Sequence, residues 1–342
     1  MCIIIMTEEK FKKKVSVVIT TYNQQDTIAR AIESVLRQKC QWPIEIIIGD
    51  DCSTDSTSAI CNDYAERYKD IVRLYSNKVN KGIVENYFSC LCRCEGKYIA
   101  DLAGDDEWCD EQKLSREIEY LEKHEDVVLV HTDYRIRNEK DGKISPSAQY
   151  PFKEIPFGGE EAFFNLVSQR FRPLAHLCSS LYRNDSFLCC YRKYPKYFHG
   201  REYPCEDVQL TALLAFEGKI AYLPDVTLIY SVSSNSISNS RTECKAFSFK
   251  YSVLKLMVDL RDSLNLSHSL FSISCQYRIY EILMHVFRLH EKALLREVLS
   301  YFREKNVAIQ TLRNNILLSI LSCSPLWSVL LFIRNFKKSL GK

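Results

Sequence analysis

Three pairs of adjacent acids stand out in this chain of 342 residues: Asp50-Asp51 in IEIIIGDDCSTDST, Asp105-Asp106 in KYIADLAGDDEW, and Glu206-Asp207 in CEDVQL. The first two pairs follow abruptly on apolar runs. An ionised carboxylate only accepts hydrogen bonds. It is a hard ligand for Mg2+ or Mn2+, and it can take a proton from a hydroxyl. The same residues have plainer uses. Acids and hydroxyls ahead of a helix serve as caps, acids after a glycine form exposed turns, and acids in a first helical turn complement its dipole. His176 stands alone, and a lone histidine is more often structural than functional. The cysteines of CLCRC (Cys90, Cys92, Cys94) have C-x-C spacing without the paired knuckles of a zinc site, so no metal role is expected of them.

The elements that must carry these acids are legible as periodicities. VSVVITTYN (15–23) reads as a strand buried on both faces. Ile28, Ala31, Ile32, Val35 and Leu36 then form a helical stripe that Asp26 or Thr27 would cap. IEIII (44–48) is a second strand, and a helix is expected from STDST to about Tyr68. A strand at 71–75, a loop at 77–82, a helix to about Cys94 and a strand at 97–103 follow. Leu114, Ile118 and Leu121 mark another helix, and 127–134 another strand. Residues 134–157 read as a loop or short hairpin, 158–169 as a helix, 176–184 as a strand, 206–218 as a helix, and 220–232 as strand, turn and strand. Such alternation predicts a mostly parallel sheet flanked by helices. Ligands then bind beyond the carboxyl ends of the strands, where Thr20, Thr21, Tyr22 and the first two acid pairs would lie.

Length and composition set the frame. Hydrophobic residues make up 46% and charged residues 26%, as in an ordinary globular protein. Two domains are expected, an α/β region at 1–240 and a helical region at 241–342. Net charge is +3, yet residues 241–342 hold 16 Lys and Arg against 7 Asp and Glu, leaving +9 there and −6 before it. The N-terminal basic residues follow the short apolar run instead of preceding it, so the chain reads as not secreted. Fifteen scattered cysteines, an odd count, suit a reducing cytoplasm. Residues 314–333 lack any charge and are followed by Arg334, Lys337 and Lys338. Three outcomes fit such a tail: a membrane-surface segment to which Trp327 and the basic flank would be suited, a helix packed on the protein, or a true span. No G-x-G-x-x-G occurs, and the basic excess has no stacking motif, so dinucleotide and nucleic-acid binding are disfavoured.

VSVVITTYNQQDTIARAIESVLRQ, IEIIIGDDCSTDST, NKGIVENYFSCLCRCEGKYIADLAGDDEW and CEDVQL resemble, in order and spacing, the family 2 glycosyltransferases over about residues 14–235. The resemblance implies a GT-A fold, a Rossmann-like mostly parallel sheet, with the helical region as a C-terminal extension. It implies an inverting transfer from a nucleotide-sugar, a UDP-sugar in particular, to a hydroxyl of a glycan or lipid-linked glycan in bacterial surface polysaccharide synthesis. Asp51 would accept from the base, in a pocket shared with Thr21, Tyr22, Asn23 and Ser53. Asp106 would bind Mg2+ or Mn2+, and Asp105 would hold ribose or donor sugar, or assist the metal. Asp207 would be the base, with Glu206 beside it, and His176 would reach donor phosphate or acceptor. The enzyme would be cytoplasmic, peripheral on the inner face of the membrane. Two departures stand out: Ala103 replaces the first acid of the D-x-D-D pattern, and IYSVSSNSIS offers Ser231 and Ser234 but no histidine. A non-catalytic nucleotide-sugar-binding subunit is the alternative.

Overall fold

Runs of β-branched residues extend as strands, and the apolar stripes between them coil onto the sheet. In the computed structural model, which describes residues 12–147, 156–168, 175–200, 203–232 and 242–340, the order is β1 (Lys12–Thr21), α1 (Ile28–Leu36), β2 (Ile44–Asp50), α2 (Thr57–Arg67), β3 (Val72–Ser76), α3 (Ile83–Leu91) and β4 (Gly96–Ala103). Then come β5 (Glu107–Trp108), α4 (Lys113–Lys123), β6 (Val127–Asn138), β7 (Ile144–Pro146), β8 (Phe157–Gly158), α5 (Gly159–Ser168), β9 (Ser180–Arg183), α6 (Asn184–Lys193), α7 (Asp207–Glu217) and β10 (Lys219–Val232). The chain divides into two compact units, Met1–Ala162 with Arg172–Val232, and Phe163–Phe171 with Ser233–Lys342.

In the first unit the strands order as β3-β2-β1-β4-β9-β6-β10-β5, with β7 beside β6 and β8 beside β10. β1 is parallel to both β2 and β4, β2 to β3, and β6 to β10. Strand β9 runs antiparallel between β4 and β6. This is a mostly parallel α/β sheet. The chain builds outward from β1 to β3, then returns to place β4 on the other side of β1. Such a reversal of strand order opens a crevice at the carboxyl ends. One face of the sheet buries Val15, Val17 and Ile19 against Ile28, Ala31, Ile32 and Val35 of α1 and Leu114, Ile118 and Leu121 of α4. On α3, Phe88 packs edge-on against Phe198 at 4.8 Å between ring centroids.

Three details differ from expectation. Residues 220–232 are one strand, not two around a turn, because the register shifts between Leu223 and Val226 and again before Leu228 absorb Pro224 and Asp225 as an irregularity. Proline has no N–H for the ladder, and a bulge accommodates it without breaking the strand. Strand β6 runs on to Asn138 and turns back as β7, while residues 148–155 of the expected loop, and residue 169 of the expected helix, lie outside the described residues. Thr27 occupies the N-cap position of α1, yet its hydroxyl makes no cap bond. It donates instead to the carbonyl of Gly104 at 2.8 Å.

The second unit is helical: α8 (Glu243–Ser263), α9 (His268–Ser274), α10 (Gln276–Leu289), α11 (Lys292–Glu304), α12 (Leu312–Ser322) and α13 (Ser324–Leu340). The uncharged tail is not one rod. It breaks at Cys323, and α12 and α13 meet at 105°. No single helix among the described residues is long and apolar enough to cross a membrane. Trp327 does not face an interface as expected. It is wholly buried, and its indole N–H donates to the carbonyl of Phe287 at 2.9 Å.

Beneath the sheet, Lys113 and Glu117 form a fully buried ion pair, Nζ to Oε2 2.6 Å, under the Trp108 ring. Burial pushes the Glu117 carboxyl up to about 7, against the pull of Lys113. Removing one member strands the other, which typically costs about 3–5 kcal/mol. Lys113→Met is therefore expected to lower unfolding free energy by about that amount, and Lys113→Met with Glu117→Leu to recover most of it. Urea unfolding of the three proteins measures this.

Candidate active site

The crevice begins at the ends of β1 and β2. Thr21 pairs with Asp50 in register, and the Asp51 amide donates to the Thr21 carbonyl at 3.0 Å. The two acids do separate work. Asp50 Oδ1 accepts from the hydroxyl of Ser53 and from its amide. Asp51 is buried, and its Oδ1 accepts from Asn77 Nδ2 at 2.9 Å and the Lys81 amide at 2.8 Å, while Oδ2 accepts from the Gly82 amide at 2.8 Å. Gly82 has φ 90°, a conformation that suits glycine and turns its N–H toward the carboxylate. Neither acid caps α2. A carboxylate has about four acceptor sites, so Asp51 holds the 77–82 loop and still has lone pairs for one further donor. Asn23, at φ 52°, donates its backbone amide to Ser53 Oγ at 2.9 Å, and its Oδ1 accepts from the Thr54 amide at 2.8 Å. Tyr22 is 46% exposed at the mouth.

Next to this pocket, β4 delivers Gly104, Asp105 and Asp106. A side chain at Gly104 would collide with Thr21 and Gln24, so glycine is needed for the two strand ends to close together. Asp106 is 0% exposed. Its Oδ1 accepts from the Ser231 amide at 2.8 Å, and its Oδ2 is buried without a conventional hydrogen bond. The weakly donating Cys178 thiol lies beside it. Burial first, and then the neighbouring Asp105 carboxylate, push the Asp106 carboxyl well above the usual range. Asp105 is raised as well, by burial and then by the charge of Glu139.

The third group lies across β9. Asp101, two residues before Ala103 on β4, is buried, and burial pushes its carboxyl up to about 7. Tyr182 Oη donates to it at 3.4 Å and lies 3.1 Å from Tyr87 Oη. Glu206 precedes α7. Burial, then Asp207, then Asp101 push its carboxyl up to about 8. Asp207 opens α7 exposed, with Oδ1 accepting from the Val208 amide at 2.8 Å. His176 packs between Tyr230 and Tyr134, at 4.8 and 5.2 Å. Burial pushes it down to about 4, though the charge of Asp207 opposes this. At neutral pH it is an uncharged imidazole.

These neighbours form a connected series. Thr21 touches Gly104, Cys178 feels both Asp106 and Asp101, Glu206 feels Asp101 and Asp207, and His176 feels Asp207. All of these residues lie in the first unit: Thr21, Asn23, Asp51, Ser53, Asp105 and Asp106 at or just past the carboxyl ends of β1, β2 and β4, His176 ahead of β9, and Glu206 and Asp207 at the start of α7. Several residues of the site carried no sequence signal. Arg30 looked like a polar position on a helix, and Gln24 and Asn77 like loop residues. Asp101 did carry one, a lone acid within an apolar strand.

The sheet order and the crevice at its reversal define a GT-A-like, Rossmann-related core. Residues 16–181 match the model of Glycosyl transferase family 2, which marks this stretch as a family 2 glycosyltransferase domain. The chain resembles known proteins at two levels. An uncharacterised Mycobacterium tuberculosis protein, Rv1520, is 29% identical over 227 residues, 66% of this chain and 60% of its own. The Escherichia coli UDP-Glc:alpha-D-GlcNAc-diphosphoundecaprenol beta-1,3-glucosyltransferase WfaP is 37% identical over 154 residues, 45% of this chain and 57% of its own. The chain thus spans less than two thirds of these relatives. Residues 1–349 of Staphylococcus aureus TarS, solved with UDP-GlcNAc, share the fold at TM-score 0.55 and 18% identity, over 86% of this chain and 88% of that one.

Because the folded-state value of Asp101 is raised to about 7, the native protein binds the extra proton between about pH 4 and 7. Stability therefore falls as pH rises through that window. Asp101→Asn keeps an acceptor for Tyr182 and removes the titration. Wild type is expected to lose up to about 4 kcal/mol more than the variant between pH 4 and 7, read as unfolding free energy at each pH.

Proposed function

We propose that this domain is an inverting glycosyltransferase that moves a sugar from a UDP-sugar to a hydroxyl of a glycan or lipid-linked glycan in bacterial surface polysaccharide synthesis. The observation that carries this reading is the buried, unsatisfied Asp106 oxygen in a crevice whose neighbouring strand end presents Asp51. The family of residues 16–181, the uridine nucleotide in TarS and the diphosphoundecaprenol-linked substrate in the name of WfaP support the donor and acceptor classes.

In this reading Asp51 keeps the 77–82 loop folded and takes the uracil N–H on a remaining lone pair, while Tyr22 flanks the base. Thr21, Asn23 and Ser53 line the pocket, and Asp105 meets ribose or donor sugar. The fit of a divalent ion rests on Asp106 Oδ2, a buried hard donor with no partner. Among the described residues no group of three or more His, Cys, Asp or Glu could hold a metal; the protein's share of the ligands would come from the two adjacent carboxylates Asp105 and Asp106. Asp106, with Asp105, would hold Mg2+ or Mn2+, which when bound supplies the charge that balances the departing diphosphate.

The acid pair at α7 divides its labour. Glu206 is held protonated near neutrality and serves as a hydrogen-bond donor that orients. Asp207 is exposed and takes the acceptor's proton as its oxygen bonds to the anomeric carbon. The C–O bond to the diphosphate breaks, its electron pair leaves with UDP, and configuration inverts. His176, neutral, contributes a hydrogen bond and no charge. Asp207→Asn is expected to keep UDP affinity within about twofold and to lower transfer at least about 100-fold, measured by isothermal titration and by UDP release with a screen of nucleotide-sugars. Undiminished transfer removes Asp207 as base. UDP binding without metal-dependent turnover on any acceptor favours a non-catalytic subunit.

The bent pair α12–α13 supports a peripheral place on the inner, cytoplasmic membrane face. Val329, Phe332, Ile333 and Phe336 are exposed. After Glu304 the chain carries Lys305, Arg313, Arg334, Lys337, Lys338 and Lys342 and no acid. Exposed apolar side chains with basic neighbours bind anionic lipid surfaces. The full chain should float with phosphatidylglycerol vesicles and less with phosphatidylcholine ones, and Val329→Asp with Phe332→Asp should lower the floated fraction severalfold. Equal flotation of the variant would rule this face out.

A further inference from the structure

The acidic loop after β4 is contacted by a cation that belongs to another element, the Arg30 guanidinium of α1. One nitrogen, Nη2, donates to the Asp105 carbonyl at 2.9 Å, to Glu139 Oε1 at 3.0 Å and to Ser231 Oγ at 3.3 Å. Nε lies 3.6 Å from Glu107 Oε2, which Arg137 also contacts at 2.9 Å. Arg30 therefore touches the loop itself, the end of β6 and the end of β10. Its bond to Ser231 reaches Asp106 in one more step, since the Ser231 amide donates to Asp106 Oδ1. With Oδ1 held there, Oδ2 is the oxygen left open.

We propose that Arg30 is a positioning residue for the donor site. It fixes Asp105 from its carbonyl and Asp106 through Ser231, so that Asp106 Oδ2 is presented to the donor's cation and diphosphate. This rests on the proposed glycosyltransferase reading for its ligand, but not for its geometry. Nη2 shares its two N–H groups among its three acceptors, and the planar guanidinium keeps it in a fixed relation to Nε, which faces Glu107. A lysine ammonium is a flexible point charge and cannot keep both sets of contacts in place. Arg30 also pairs with Glu139 at 3.0 Å and so balances that carboxylate's charge beside the loop. The two contributions are separable, because only the neutralising one is replaced when Glu139 becomes Gln.

The test compares wild type, Arg30→Ala, Arg30→Lys and Arg30→Ala with Glu139→Gln. The first readout needs no ligand: hydrogen exchange of peptides covering 104–108 and 228–232 in the full-length protein. Arg30→Ala is expected to exchange at least about tenfold faster in both, with melting temperature and exchange in α2 and α3 unchanged. The second is titration of UDP in Mn2+, where Arg30→Ala and the double variant are expected to bind about tenfold more weakly and Arg30→Lys in between. Unchanged exchange in 104–108 and 228–232 overturns the proposal whatever UDP does. Full recovery of exchange and affinity in the double variant also overturns it, because Arg30 would then act by charge alone. If wild type itself binds no UDP, the glycosyltransferase reading falls, and the exchange result still decides the role of Arg30.

Discussion

Burial of the Asp106 carboxylate is the constraint around which the site is arranged. A carboxyl with one oxygen on a backbone amide and the other without a conventional donor is costly to hold in a protein interior, on the order of 1–3 kcal/mol for the unmet group. The surroundings do not relieve it. Asp105 lies next to it and Glu139 is close to Asp105, so the local field favours the protonated form. In the proposed reading, a divalent ion meeting Oδ2 would offset both penalties.

The closing of β1 against β4 makes that burial possible. Gly104 lets the two strand ends approach, Thr27 ties the Gly104 carbonyl to the start of α1, and Arg30 one turn on ties the Asp105 carbonyl. Helix α1 packs on the sheet through Ile28, Ala31, Ile32 and Val35. The same helix thus carries core and site on different faces, and the geometry of the loop is referred to the hydrophobic core. The acid pair at α7 follows a different logic. Glu206 is half-buried and burial raises its carboxyl, whereas Asp207 is exposed, so two neighbouring carboxyls sit in different surroundings.

The helical unit shows how a tail of ambiguous composition is settled by packing. Buried Trp327 donates to Phe287, and buried Asn314 donates from Nδ2 to the Gln276 carbonyl at 2.9 Å. The most membrane-suited aromatic of the sequence is thus used as core, while Phe332 and Phe336, which read as unremarkable, are the ones exposed.

Hydrophobic periodicity carried most of the strands and helices and the parallel character of the sheet, since alternation of strand and helix leaves few ways to bury both; it missed α6 and overextended β9, expected over 176–184 and found at Ser180–Arg183. It also indicated that the first two acid pairs follow strands, because an apolar run ending in carboxylates can only end at a boundary of the core. The order in which strands pair, the antiparallel entry of β9 between β4 and β6, and the single irregular β10 were not readable, because they depend on contacts between residues far apart in the chain. The same holds for Arg30, whose value comes from three acceptors on β6, β10 and the loop after β4, and for Asp51, which secures its own loop as well as facing the crevice. Sequence by itself determined which residue types reach the carboxyl rim. Only tertiary structure decided which carboxyls are buried, which oxygen stays open and which cation holds the loop, because desolvation and charge–charge coupling are properties of distances in space and not of spacing along a chain.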